Sequence, residues 1–157
     1  MGFEVFLALD EFSWSKKTQP RLQRRKILSM SVSDEENIYI FPDDIPVNIA
    51  NPADLARLKE IFKGKELSFV AGSDVIENAS CYRAEPSENS IHSLNHIIFK
   101  RSSDEKRDAA AGKTHYPITG EVINLHLEEY FEDISSTRIR ENIDSGRDIS
   151  NLIDPVA

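Results

Sequence analysis

Five short runs rich in apolar and β-branched residues recur along this chain, and the stretches between them switch to helical spacing. That alternation is the pattern of parallel strands joined by crossover helices, which makes the expected fold class α/β. The strands are read as Glu4–Leu9, Ile38–Phe41, Leu67–Ala71, His96–Lys100 and Glu121–Leu127. Pro20–Val32 begins with a proline suited to a first helical turn, and Pro52–Phe62 places Leu55, Leu58, Ile61 and Phe62 at core-facing spacing, so both are expected crossover helices. Asp74–Tyr82 reads as a shorter helix. Ser136–Ser145 reads as another, closed by Gly146, because glycine is favoured just past a helix end. Ser102–Thr114 is charged and rich in small residues, which reads as a loop rather than a linker to a second domain. The whole chain, 157 residues, is expected to form a single domain.

Charge narrows the partners. With 19 basic and 27 acidic residues the formal net charge is −8, which disfavours general attraction to nucleic acid or to an anionic membrane surface. Cys81 is the only cysteine, so neither an internal disulfide nor a cysteine metal cage can form, in keeping with a reducing, cytoplasmic setting. No run approaches the length of a membrane span, and the amino end lacks the pattern of a secretion signal.

In parallel α/β sheets ligands collect at the carboxyl ends of strands, so the loops after strands carry most weight. The first such loop leads into Lys16, Lys17, Arg21, Arg24, Arg25 and Lys26, a basic concentration in an acidic protein. Runs of this kind commonly form a solvated helix face; the alternative is a site for an anion. Near the other end, Ser135, Ser136 and Thr137 precede Arg138 and Arg140. A capping box would set Glu or Gln three places after the cap, but those places hold Arg138 or Ile139. A helix start with hydroxyls, arginines and no competing acid can cradle a phosphate, although hydroxyls alone also suit an ordinary over-capped helix. Both features are expected at one edge of the sheet, which points to a phosphorylated ligand.

The segment ISSTRIR, followed by Gly146, Ile149, Leu152 and Pro155, resembles the carboxyl-terminal signature of the nicotinate-mononucleotide adenylyltransferases, within the HxGH nucleotidyltransferase superfamily. FSWSKK and GSDVIENAS are similar to that family's substrate loop and Gly-x-Asp segment, in the same order. The resemblance implies a Rossmann-like doubly wound parallel sheet of the nucleotidyltransferase type. It implies transfer of AMP from ATP, carried with Mg²⁺, to a pyridine mononucleotide with release of pyrophosphate. Under it, Ser135, Ser136, Thr137 and Arg140 hold the ATP phosphates, with Arg138 in a variable slot. Lys16 or Lys17 neutralises ligand phosphate, Gly72 admits backbone close to the ligand, and Asp74 orients a sugar hydroxyl or the adjoining loop. Trp14 stacks near a base, unless it belongs to the core. Asp43 and Asp44 either touch the metal or, as Asp beside Pro commonly does, form a plain turn.

The resemblance also has a gap. The glycine-rich loop leading to HxGH is absent from the sequence, so no catalytic residue is assigned. His92 and His96 lack the intervening glycine and run into a strand, and they are read as structural or surface residues, as are the lone His115 and His126. The chain begins where the family's second strand should stand, so it is expected to be a fragment, incomplete at the amino end, inactive alone, and prone to self-association or to pairing with the missing segment. Two other readings stay open. One is a non-catalytic nucleotide-binding or regulatory module, and the other a sibling transferase acting on phosphopantetheine, a sugar phosphate or a glycerol phosphate.

Overall fold

A computed structural model describes residues 2–9, 19–100, 115–128, 131 and 134–153. The chain is mixed α/β, and every strand pair among the described residues is parallel. All five expected strands are present: β1 (Val5–Leu7), β2 (Ile38–Ile40) and β5 (Val122–His126) are trimmed at their ends, β3 (Ser68–Gly72) is shifted by one residue, and β4 (Asn95–Lys100) starts one residue earlier than expected. Among the described residues the α-helices with printed bounds are α1 (Arg21–Ser31), α2 (Pro52–Ile61), α3 (Ser73–Asn78) and α4 (Ser136–Asp144). The strands are hydrogen-bonded as two sheets, β1–β2 and β3–β4–β5. The chain divides into two compact units, Met1–Pro46 with Ser135–Ala157, and Val47–Ile134.

The first unit holds β1, β2, α1 and α4. Val5 pairs with Ile38, Phe6 with Tyr39 and Leu7 with Ile40, and the Phe6 ring stacks on Tyr39 and meets Phe41 edge-on. Phe41, just past β2, is buried. Pro20 sits one position earlier than the sequence suggested: it is the N-cap of α1, where its own missing N–H costs nothing. α4 stops as expected, with Gly146 in the left-handed region at φ 64° and the Arg147 amide reaching back to the Asn142 carbonyl at 2.8 Å.

The second unit is built around β4, which lies between β3 and β5 and buries His96 and Ile98 on one face. α2 starts at Pro52 behind an Asn51 cap that accepts from the Ala53 amide at 3.0 Å. Asp54 is buried there, its two oxygens taking the Asn48 amide and the Asn51 side-chain amide, each at 3.0 Å. Leu55 and Leu58 are buried as their spacing predicts, but Ile61 is 46% exposed. Six residues at 3.6 per turn carry Ile61 roughly 120° around the helix from Leu55, off the covered face, while Phe62 returns toward it.

The helix expected over Asp74–Tyr82 is broken in two. α3 ends at Asn78, Ala79 is extended at φ −72° and ψ 129°, and a 3₁₀ turn follows over Ser80–Arg83. The Asn78 side-chain amide donates to the Asp74 carbonyl at 2.8 Å, the kind of local side-chain bond that competes with helix continuation. Residues leading into β5 are sewn to the 3₁₀ turns: Tyr116 donates its amide to the Tyr82 carbonyl at 3.1 Å, and Thr119 its amide to the His92 carbonyl at 2.8 Å. Among the described residues no helix is long and apolar enough to cross a membrane.

Candidate functional site

The helix start at Ser135 answers the question its hydroxyls pose. Ser135 is extended, at φ −143° and ψ 150°, and its Oγ accepts the Arg138 amide at 3.1 Å, so it is the N-cap of α4. The Ile139 amide closes the first helical bond to the Ser135 carbonyl at 3.0 Å. No acidic residue lies in the first turn. One amide is therefore satisfied by the cap, and those of Ser136 and Thr137 have no acceptor within an α-helix. Thr137, Arg138 and Arg140 are exposed around this end. A capping hydroxyl that accepts from an amide still has its own O–H to give to a phosphate oxygen.

Gly72 and Asp74 belong to the other unit, where β3 passes directly into α3. Gly72 has ordinary extended dihedrals, so its backbone does not demand glycine. A Cβ there would lie 2.6 Å from Oδ1 of Asp74, a side-chain atom that can turn aside, so space does not demand glycine either. Asp74 stands in the first turn of α3, at the carboxyl end of β3, a position where parallel folds present ligands.

Trp14, Lys16 and Lys17 lie outside the described residues, as does the Ser136 side chain. Ser135, Thr137 and Arg140 share one helix end in the first unit, and Gly72 and Asp74 stand where β3 enters α3 in the second.

Asp43 and Asp44 stand in a turn, closed by the Ile45 amide on the Pro42 carbonyl at 3.4 Å, and Asp43 is in addition paired with two arginines. Its Oδ1 receives Nη2 of Arg21 at 2.8 Å and lies 3.1 Å from Nη1 of Arg25. The hydrogen bond from Arg21, aided by the charge of Arg25, holds the Asp43 carboxyl below the usual carboxylate range against the opposing effect of desolvation. The sequence carries a signal for this cluster in arginines four residues apart on a helix face, followed by Asp after the next strand. It does not specify the pairing.

No family model and no curated protein matches this chain. Function must therefore be argued from geometry.

His92 and His96 are fully buried and serve the core, as their sequence context suggested. Nδ1 of His96 lies 2.8 Å from the Leu94 carbonyl and Nε2 2.9 Å from the Tyr82 hydroxyl; Nε2 of His92 lies 3.3 Å from the Tyr82 carbonyl. Burial, ahead of the neighbouring Cys81 charge, pushes the Tyr82 hydroxyl pKa well up. His126 lies exposed on β5, and His115 is half-buried. Among the described residues no group of three or more His, Cys, Asp or Glu side chains could hold a metal ion.

Proposed function

We propose that this chain is a doubly wound nucleotide-binding protein of the nicotinate-mononucleotide adenylyltransferase type. The strand order carries the reading. Doubly wound sheets commonly run 3-2-1-4-5-6. The ladder β2–β1 in the first unit and the ladder β3–β4–β5 in the second are each parallel with chain-order neighbours, as strands are within either half of such a sheet. The acid-free start of α4 adds support, since it suits a polyphosphate better than a cation.

In the proposed reaction a phosphate oxygen of the pyridine mononucleotide attacks the α-phosphorus of ATP. A P–O bond forms there, the bond to the bridging oxygen breaks, and pyrophosphate leaves with the electron pair. Such a transfer asks the protein mainly to position two anions and to stabilise charge on the leaving oxygen. Mg²⁺ arriving with ATP would supply charge neutralisation, held mainly by phosphates and water. Ser135, Ser136, Thr137 and Arg140 would grip the phosphates, Lys16 or Lys17 the second anion, and Trp14 would stack on a base. Gly72 and Asp74 would shape the adjoining loop, and the setting would be cytoplasmic.

The histidines favour a second reading, a nucleotide-binding module without turnover. The sequence has no HxGH, and His92 and His96 are tied into the core rather than presented to a ligand. Calorimetric titration of ATP, CTP, nicotinate mononucleotide and phosphopantetheine, each with Mg²⁺, combined with a pyrophosphate-release assay, tests both readings. Heat from ATP and nicotinate mononucleotide with negligible release is what either reading expects of this chain alone; release above background supports the transferase. Heat from phosphopantetheine or CTP alone overturns the pyridine-nucleotide assignment.

A further inference from the structure

Residues 116–121, which lead into β5, are tied to the backbone of one buried aromatic cluster. The Tyr116 amide donates to the Tyr82 carbonyl at 3.1 Å. The Thr119 amide, the Gly120 amide and the Thr119 hydroxyl all donate to the His92 carbonyl, at 2.8, 3.2 and 3.0 Å. The His96 amide donates to the Glu121 carbonyl at 2.7 Å, and the Glu121 amide to Oδ1 of Asn95 at 2.9 Å. Tyr82 comes from the 3₁₀ turn Ser80–Arg83, His92 from a second one, Ile91–Ser93, and His96 from β4. All three are buried, and the Tyr82 ring meets both imidazoles edge-on while that of Tyr116 meets His92.

This cluster has room for one proton on His96, not two. Nδ1 donates to the Leu94 carbonyl at 2.8 Å, which leaves Nε2 to accept from the Tyr82 hydroxyl at 2.9 Å. A second proton would turn Nε2 into a donor, and the Tyr82 O–H would lose the one partner it has among the described residues. No counter-charge is in place to receive that proton. From the 3₁₀ turns His92 and Tyr82 face the ring, with the Cys81 thiol beside Tyr82; from β3 it is met by the uncharged Phe69. Tyr116 and His115 stand on the approach to β5, and Lys100 and His126 lie four residues further along β4 and β5. Lys59 of α2 is spent on Ser93 and the Glu88 carbonyl, Arg83 on the Glu77 carbonyl and Glu66 on Asn95. The carboxylates of Asp74, Glu77 and Glu121 make no bond to either ring nitrogen, which Leu94 and Tyr82 occupy. Burial pushes the His96 pKa down, the bond to Leu94 opposes this in part, and the charge of His92 adds to it.

β5 depends on this anchorage. All five of its residues are exposed, and among the described residues it pairs on one side only, with β4. Elements that bury few apolar contacts open at lower cost than the rest of a domain.

We propose that Tyr82, His92 and His96 form an acid-sensitive latch: neutral His96 holds residues 116–121 and β5 in place, and its protonation releases them as one piece before the β3–β4 pair comes apart. The device is independent of the nucleotide-binding reading, because it uses no residue of that site.

The test is amide hydrogen exchange of the full chain, read residue by residue by NMR and corrected for the intrinsic pH dependence of exchange. At pH 7.5 the Tyr116, Thr119 and Gly120 amides should already be less protected than the amides that pair β3 with β4. An open state in which His96 titrates normally gains population by up to about tenfold per pH unit below about 6.5, so protection at the three amides should drop about tenfold by pH 5.5. In His96→Gln that drop should vanish. Tyr82→Phe, which keeps the imidazole and removes its donor, should speed exchange at the three amides about tenfold or more at pH 7.5, and thermal melts show whether each variant is folded. Protection at residues 116–120 equal to that of the β3–β4 amides would mean that they open only with the whole unit, and overturns the proposal. Protection that does not change with pH in the wild type, or a drop that survives in a folded His96→Gln, overturns it as well.

Discussion

The hydroxyl of Tyr82 lies 2.9 Å from Nε2 of His96, in a part of the second unit where both residues are almost completely buried. The tautomer follows from the other ring nitrogen. Nδ1 faces the Leu94 carbonyl at 2.8 Å, and a carbonyl can only accept, so Nδ1 carries the proton and Nε2 accepts from Tyr82.

This neutral histidine makes stability fall in mild acid. Burial, together with the nearby His92, pushes the His96 pKa below its ordinary value of 6.5, and the bond to Leu94 only partly opposes the shift. The unfolded chain therefore takes up a proton before the folded chain does. The contribution is complete above about pH 6.5 and is lost progressively as pH falls below it. Urea denaturation between pH 7.5 and 5 should show a falling midpoint, with a shallower fall in His96→Gln.

Tyr82→Phe removes the donor and leaves Nε2 of His96 buried without a partner. The expected cost is about 1–3 kcal/mol at pH 7.5, read from the urea midpoint. A change below about 0.5 kcal/mol would mean that the pair is not formed.

Gly120 is the glycine whose replacement should hurt most. A Cβ there would sit 2.2 Å from the Leu94 carbonyl oxygen and 2.9 Å from the Asn95 amide nitrogen, both backbone atoms at the start of β4. Gly120→Ala should destabilise by about 1–3 kcal/mol or more through overpacking. At Gly72 the obstacle is only the Asp74 side chain, which can turn aside, so Gly72→Ala should cost less in a thermal melt.

Cys81 should react slowly. Desolvation raises its thiol pKa, and the backbone hydrogen bonds at Cys81 and Tyr82 offset that only in part. Thiolate is the reactive form, so alkylation by iodoacetamide at pH 8 should be slower than for a free cysteine and should reach the free rate in urea.

Unpaired strand edges make self-association the expected solution behaviour. β1 and β3 each have a ladder partner on one side only among the described residues, and Val5, Phe6 and Val70 on them are exposed. Light scattering at micromolar concentration should give a mass above 17.8 kDa; a monodisperse monomer would contradict this.

The strands were legible because β-branched runs mark them locally, and the helix ends at Ser135 and Gly146 because they are chosen by the chain's own neighbours. What stayed hidden depends on distant partners. The pairing of His96 with Tyr82 joins residues 14 apart and that of Arg21 with Asp43 residues 22 apart, so each needed a fold to become visible. The sequence did point to the acid-free helix start after Ser135, since a missing capping-box partner is a local fact.

The most direct measurement is a backbone and arginine NMR map of the chain as MgATP is added. The account predicts saturable shifts at the Thr137 and Arg138 amides and at Nε of Arg140, with affinity falling about ten- to a hundredfold in Arg140→Ala. Unmoved resonances at the start of α4 in a chain that remains folded would contradict it.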